Sequence, residues 1–177
     1  MSDSDGYSVR PARPDELGLL PDIERAAAAI FSATAFPEMA DAALASEHVA
    51  HDRDWVWLTV GPDGRPVAFV IAHPLADGAH LHELDVHPSH ARRGLGRLLI
   101  EAVAVRAAHE GAHAFTLTTF REIPWNAPYY ARLGFRALAE AELSPALQAI
   151  LRAEVAAGLP GVARTAMRRE LASPVAG

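Results

Sequence analysis

Two rhythms of apolar positions alternate along the chain. Short runs with period-2 or nearly continuous apolar character are separated by runs in which apolar residues return every three or four positions. Tyr7–Pro11, Trp55–Val60, Pro66–His73, Ala79–His87, Ala114–Phe120, Phe135–Leu138 and Ala163–Leu171 are of the first kind and predict strands. Pro62-Asp63-Gly64 and Pro74–Gly78 are the turns that join the second, third and fourth of them. Leu20, Ile23, Ala27, Ile30 and Phe31 are of the second kind, behind the helix-start signals Pro14-Asp15-Glu16 and Pro21-Asp22. Pro37-Glu38 opens an Ala-rich stretch that predicts a second helix to about Ala50. Leu95, Leu98, Leu99, Ala102 and Val103 share one helical face as far as about Glu110, where Gly111 stops the pattern. Asn126–Leu133 reads as a short helix closed by Gly134, and Ser144-Pro145 opens another to about Ala157, ended by Gly158 and Pro160. The order is strand, two helices, three strands, then helix and strand three times over, which predicts a mixed α/β domain. Residues 1–6 and 173–177 read as tails around a core of about 7–171.

Composition narrows the classes. A chain of 177 residues, half of them apolar, suits one domain with a buried core of its own. There is no cysteine, which removes disulfides, iron–sulfur clusters, thiolate zinc sites and cysteine nucleophiles. All sixteen basic residues are Arg, so no lysine serves as a P-loop, Schiff-base or general-base residue. The net charge of −6 argues against a nucleic-acid partner, which needs basic surface. Apolar runs such as Ala26–Phe31 fall far short of the ~20 residues of a membrane span. The polar, acidic start Met1-Ser2-Asp3-Ser4-Asp5 is unlike a signal peptide, so the expectation is a cytoplasmic protein. Nine histidines raise the question of a metal, and His80 and His82 share a strand face. No acid or Cys completes a recognisable ligand set beside them, and no metal is expected. Trp55 and Trp57 share one strand face and are expected in the core.

The segment Val86-His87-Pro88-Ser89-His90-Ala91-Arg92-Arg93-Gly94-Leu95-Gly96-Arg97 joins a strand to a helix. Gly94 and Gly96 let backbone approach a ligand closely, and the first amides of the helix have no partner within it. Such a helix start favours phosphate, and three arginines add positive charge. Leu99 stands where a dinucleotide fold needs its third glycine, and Walker A chemistry needs a lysine.

This segment resembles motif A of the GCN5-related N-acetyltransferases, a strand ending V-x-P followed by [Q/R]-x-x-G-x-[G/A]. Ala91 stands at the [Q/R] position. Trp125-Asn126-Ala127-Pro128-Tyr129-Tyr130-Ala131-Arg132-Leu133-Gly134-Phe135 resembles the same family's motif B, with Asn126 four positions before Tyr130 where many members have seven. The likeness spans roughly residues 7–140. It implies one acyltransferase domain over residues 1–177, with a mixed, mostly antiparallel central sheet flanked by helices. It implies acetyl-CoA as co-substrate, with its pyrophosphate on the backbone amides of Arg92, Arg93, Gly94, Leu95, Gly96 and Arg97. Amides near Leu84 and Val86 take the pantetheine arm, and Asn126 joins the cofactor-binding set. Glu83 is implied as general base, with Asp85 and His82 as alternatives, and Tyr130 as the acid that protonates the leaving thiolate. Thr118 and Thr119 are candidates to bond the acceptor or the pantetheine, and Trp125 to border the acceptor site. The acceptor implied is a primary amine of a small molecule; a protein or peptide amine is the alternative. A non-catalytic acyl-CoA sensor is the reading from another class. A homodimer is compatible with the last helix and strand.

Overall fold

The computed structural model describes residues 6–49, 54–76 and 78–171. Among these residues seven strands form one sheet: β1 (Ser8–Pro11), β2 (Trp55–Val60), β3 (Pro66–Leu75), β4 (Gly78–Val86), β5 (Ala114–Phe120), β6 (Arg136–Ala137) and β7 (Arg164–Glu170). Their order across the sheet is β1-β2-β3-β4-β5-β7-β6. β4 and β5 run parallel, while β1–β2, β2–β3, β5–β7 and β6–β7 are antiparallel. The sheet is therefore mixed and mostly antiparallel, as expected. Among the described residues four α-helices accompany it: α1 (Leu20–Ala28), α2 (Leu95–His109), α3 (Ala127–Arg132) and α4 (Pro145–Ala156). The expected tails lie outside the described residues, apart from Gly6. β3 runs on to Leu75, into the stretch expected to be a turn.

The chain divides into two compact units, Met1–His73 with His82–Val105, and Pro74–Leu81 with Arg106–Gly177. In the first unit, Leu20 and Ile23 of α1 pack with Val56, Leu58 and Val60 of β2 and Phe69 and Ile71 of β3 in one buried cluster. Leu58 and Phe69 are fully buried, and each such side chain contributes about 2 kcal/mol by leaving water. Because strand residues alternate faces, the face of Val56 and Leu58 excludes Trp55 and Trp57 from that cluster. Both tryptophans are half-buried, which corrects the expectation that they fill the core.

The second expected helix is absent. Pro37–Asp41 and Ala45–His48 are single 3-10 turns, separated by extended backbone at Ala42 and Leu44; the expected end at Ala50 lies outside the described residues. The cause is an upstream side chain. Glu24 of α1 accepts hydrogen bonds from the backbone N–H of Ala45 at 2.7 Å and of Ser46 at 2.9 Å. Those amides are then withheld from the i→i−4 ladder that an α-helix needs.

In the second unit, β5 is the centre. Ala79, His80 and Leu81 pair in parallel with Phe115, Thr116 and Leu117, and β7 covers the other edge from Ala114↔Glu170 to Phe120↔Arg164. Gly78 holds φ +153, and a Cβ there would lie 2.5 Å from the Ala114 carbonyl oxygen, so the start of β4 needs glycine. Ser144 caps α4 as its sequence predicts, with Oγ accepting from Leu147 N–H at 3.3 Å.

Candidate active site

The first unit holds the carboxylates and the glycine turn. Glu83 and Asp85 lie on β4 two positions apart, both half-buried, while His82 is exposed. The Asp85 Oδ2 atom is buried and has no hydrogen-bond partner. Burial first, then the negative charges of Glu83 and Glu24, push the Asp85 carboxyl well above the usual carboxylate range. A carboxyl so placed keeps its proton to higher pH than its neighbours in water. Glu83 Oε1 accepts from the N–H of Leu84 at 3.2 Å. One of the amides expected to meet pantetheine is thus already met by the adjoining side chain. Glu24 was not foreseen. Its signal in the sequence is an acid four positions after Leu20, on the apolar stripe of α1; it is 7% exposed.

β4 is anchored as it ends, where His87 N–H donates to the Val67 carbonyl at 2.9 Å. Pro88–His90 makes one 3-10 turn, and the chain then enters α2 through the arginines. Arg92 holds φ +59, the left-handed region that a side chain other than glycine rarely adopts. Gly94 holds φ +77, and a Cβ there would meet nothing within 4 Å. Left-handed residues at alternate positions turn successive N–H groups toward a common concavity, a geometry that suits an anion. Leu95 and Gly96 are buried at the helix start, and the helical ladder begins where Leu98 N–H donates to Gly94 O at 3.2 Å. Arg92, Arg93 and Arg97 are exposed and pair with no carboxylate among the described residues. The donor set, backbone amides with guanidiniums that no carboxylate neutralises, fits a pyrophosphate.

The second unit holds Tyr130. It lies in α3, 9% exposed, with its ring edge-on to Tyr129 at 5.4 Å and to Phe135 at 5.9 Å between centroids. Asn126 occupies the N-cap position of α3 without a side-chain capping bond, and Tyr130 N–H donates to its carbonyl at 3.0 Å. Trp125 is 39% exposed. Thr118 Oγ1 bonds Glu154 Oε1, and Arg164 Nε donates to Glu154 Oε2 at 2.8 Å. That commitment takes Thr118 away from the role of a free acceptor contact, and Thr119 is 4% exposed. The Glu154–Arg164 pair borders a cavity of about 260 Å³, with Arg121, Leu138, Leu143 and Leu151 also in its wall. His80 is buried with Nδ1 3.0 Å from Thr116 Oγ1, a structural bond between neighbouring strands. Among the described residues no three potential ligands cluster as a metal site. No helix among them is long and apolar enough to cross a membrane.

The family model described as Acetyltransferase (GNAT) family matches residues 20–135. The chain belongs to the GNAT family of acetyltransferases. A mycothiol acetyltransferase of Clavibacter sepedonicus is 39% identical over 82 residues, which cover 40% of this chain and 27% of that relative. The match thus spans about a quarter of the relative's length. Among solved structures, a GNAT-family acetyltransferase from Staphylococcus aureus Mu50 superposes with a TM-score of 0.68 at 13% identity, covering 94% of this chain and 99% of that one. The PaiA N-acetyltransferase of Thermoplasma acidophilum, solved in complex with coenzyme A, gives 0.65 at 13% identity over 96% and 99%. At such identities the structures establish a shared fold.

Proposed function

We propose that the protein transfers acetyl from acetyl-CoA to a primary amine of a small cationic molecule by direct attack. The observation that carries the proposal is the turn from Arg92 to Arg97, with its left-handed Arg92 and Gly94 and its guanidiniums that pair with no carboxylate among the described residues. These residues would hold the pyrophosphate, with Val86 and Asn126 also assigned to the cofactor. When bound, acetyl-CoA supplies an activated thioester, and the chain supplies proton transfer and orientation. Glu83 is the proposed base, taking a proton from the attacking amine at its carboxylate. Tyr130 is the proposed acid, giving its phenolic proton to the departing sulfur. Glu83 and Glu24 both bring negative charge to bear on Asp85, and that charge favours an acceptor that arrives as an ammonium ion over an anionic one.

The experiment is a thermal melt with and without acetyl-CoA, followed by amine-dependent thiol release. A specific ligand of the folded chain raises the midpoint by mass action. A raised midpoint with thiol release on adding small amines supports the proposal. A raised midpoint without release from any amine or peptide leaves a sensor, and no shift at millimolar acetyl-CoA removes the cofactor site.

A further inference from the structure

We infer that Tyr7, on the chain just ahead of β1, is a positioning residue for the pyrophosphate turn, which it reaches across more than eighty residues of sequence. The inference rests on the reading of that turn as the cofactor site. Tyr7 is 8% exposed, and its hydroxyl lies 2.8 Å from His90 Nδ1. The two rings also meet edge to face, 5.8 Å between centroids at 83°. The Tyr7 ring also meets an arginine, since the Arg93 guanidinium carbon lies over it, 5.9 Å from the ring centre. His90 is tied onward within its own turn. Its ring stands 6.2 Å from that of His87, whose Nδ1 lies 2.7 Å from Ser89 Oγ. One buried phenol therefore holds the residue before Ala91 and one of the three guanidiniums that flank the glycines.

The turn needs such a hold. Arg92 sits at φ +59, a strained conformation that persists where its surroundings fix it. Arg93 is a long side chain whose rotamers are costly to freeze when a ligand arrives. A tyrosine that fixes His90 by a hydrogen bond and restrains Arg93 by its π-face meets part of that cost before binding. Its effect is confined to donors that carry a pyrophosphate.

The test measures coenzyme A affinity by calorimetry and S-acetylpantetheine turnover for wild type, Tyr7→Phe and Tyr7→Leu. Tyr7→Phe keeps the ring beneath Arg93 and loses the bond to His90; it is expected to weaken coenzyme A about fivefold. Tyr7→Leu loses both and is expected to weaken it about tenfold or more. S-acetylpantetheine lacks the pyrophosphate, so its kcat/KM is expected to stay within about twofold in both variants. Unchanged coenzyme A affinity overturns the inference, and so does an equal loss with S-acetylpantetheine, which marks general damage to the fold. If Tyr7→Leu does not fold, Tyr7→Phe decides alone, because it removes one hydrogen bond and no ring contact. Wild-type protein that does not bind coenzyme A defeats the cofactor reading itself, and the inference with it.

Discussion

At the residue scale, Tyr130 and Asp85 make opposite demands on their surroundings. Tyr130 is packed edge-on between Tyr129 and Phe135, so its ring is fixed by contacts that a phenylalanine reproduces. Tyr130→Phe is therefore expected to keep the melting temperature and acetyl-CoA affinity within small changes while kcat falls about 10²-fold. Steady-state kinetics against acetyl-CoA decide it; an unchanged kcat removes Tyr130 from the chemistry. Asp85 has a buried oxygen with no partner, and burial together with Glu83 and Glu24 raises its pKa above the ordinary 3.8. In the unfolded chain the same carboxyl ionises near 3.8, so the folded state binds more protons and stability falls as pH rises above that value. Asp85→Asn removes this penalty. Its melting temperature is expected to match the wild type's near pH 3 and to exceed it at pH 7, as scanning calorimetry across that range will read. A variant that is less stable at pH 7 contradicts the raised pKa.

At the scale of elements, the conformation of the glycine turn was legible in the sequence, because a glycine between a strand and a helix marks left-handed backbone. Gly94 supplies a left-handed backbone and an open approach in one position. The strand pattern was also legible: Trp55–Val60 and Ala114–Phe120 have the bounds that period and β-branched content predict. The stretch from Pro37 to His48 was not legible, although its composition favours helix. Helix propensity is worth tenths of a kcal/mol per residue, and two charge-assisted bonds from Glu24 to Ala45 and Ser46 outweigh it. The partner lies 21 and 22 residues upstream, beyond any local pattern. The Glu154–Arg164 pair escaped for the same reason, since only folding brings α4 to the start of β7. Glu24→Gln keeps one carbonyl acceptor and loses the charge. It is expected to cost about 1–2 kcal/mol and to speed amide hydrogen exchange at Ala45 and Ser46 above that of the β2 amides. Exchange at those two amides as slow as in the wild type sinks the account of why the second helix is missing.

At the scale of the whole molecule, a chain without disulfides depends on burial and on a few ion pairs that join one element to the next. The best formed of these in the first unit closes β1 onto the turn that precedes α1. Arg10 donates to Glu16 through both terminal nitrogens, at 2.6 and 2.8 Å, and the Arg13 backbone N–H adds a bond at 2.9 Å. Glu16 is 5% exposed, and this bonding, led by the Arg10 guanidinium, lowers its pKa from 4.5 to about 2. A depressed carboxylate pKa means that the unfolded chain binds the extra proton. The stabilisation is complete above pH 4.5, declines as pH falls from there, and is gone below about 2. Glu16→Gln is therefore expected to lose about 2 kcal/mol at pH 7, with the gap to the wild type closing between pH 4.5 and 2. The sign is opposite to that for Asp85→Asn, so the two variants measured over one pH series separate a pair that holds the fold from a carboxyl that strains it. Because β1 also carries the chain from Tyr7, loosening Arg10 from Glu16 is expected to weaken coenzyme A binding less than Tyr7→Leu does. Acid titration of unfolding for the three proteins checks the first claim, and calorimetry with coenzyme A at pH 7 checks the second. A gap between Glu16→Gln and wild type that persists unchanged to pH 2 shows that Glu16 acts by packing and not by its charge.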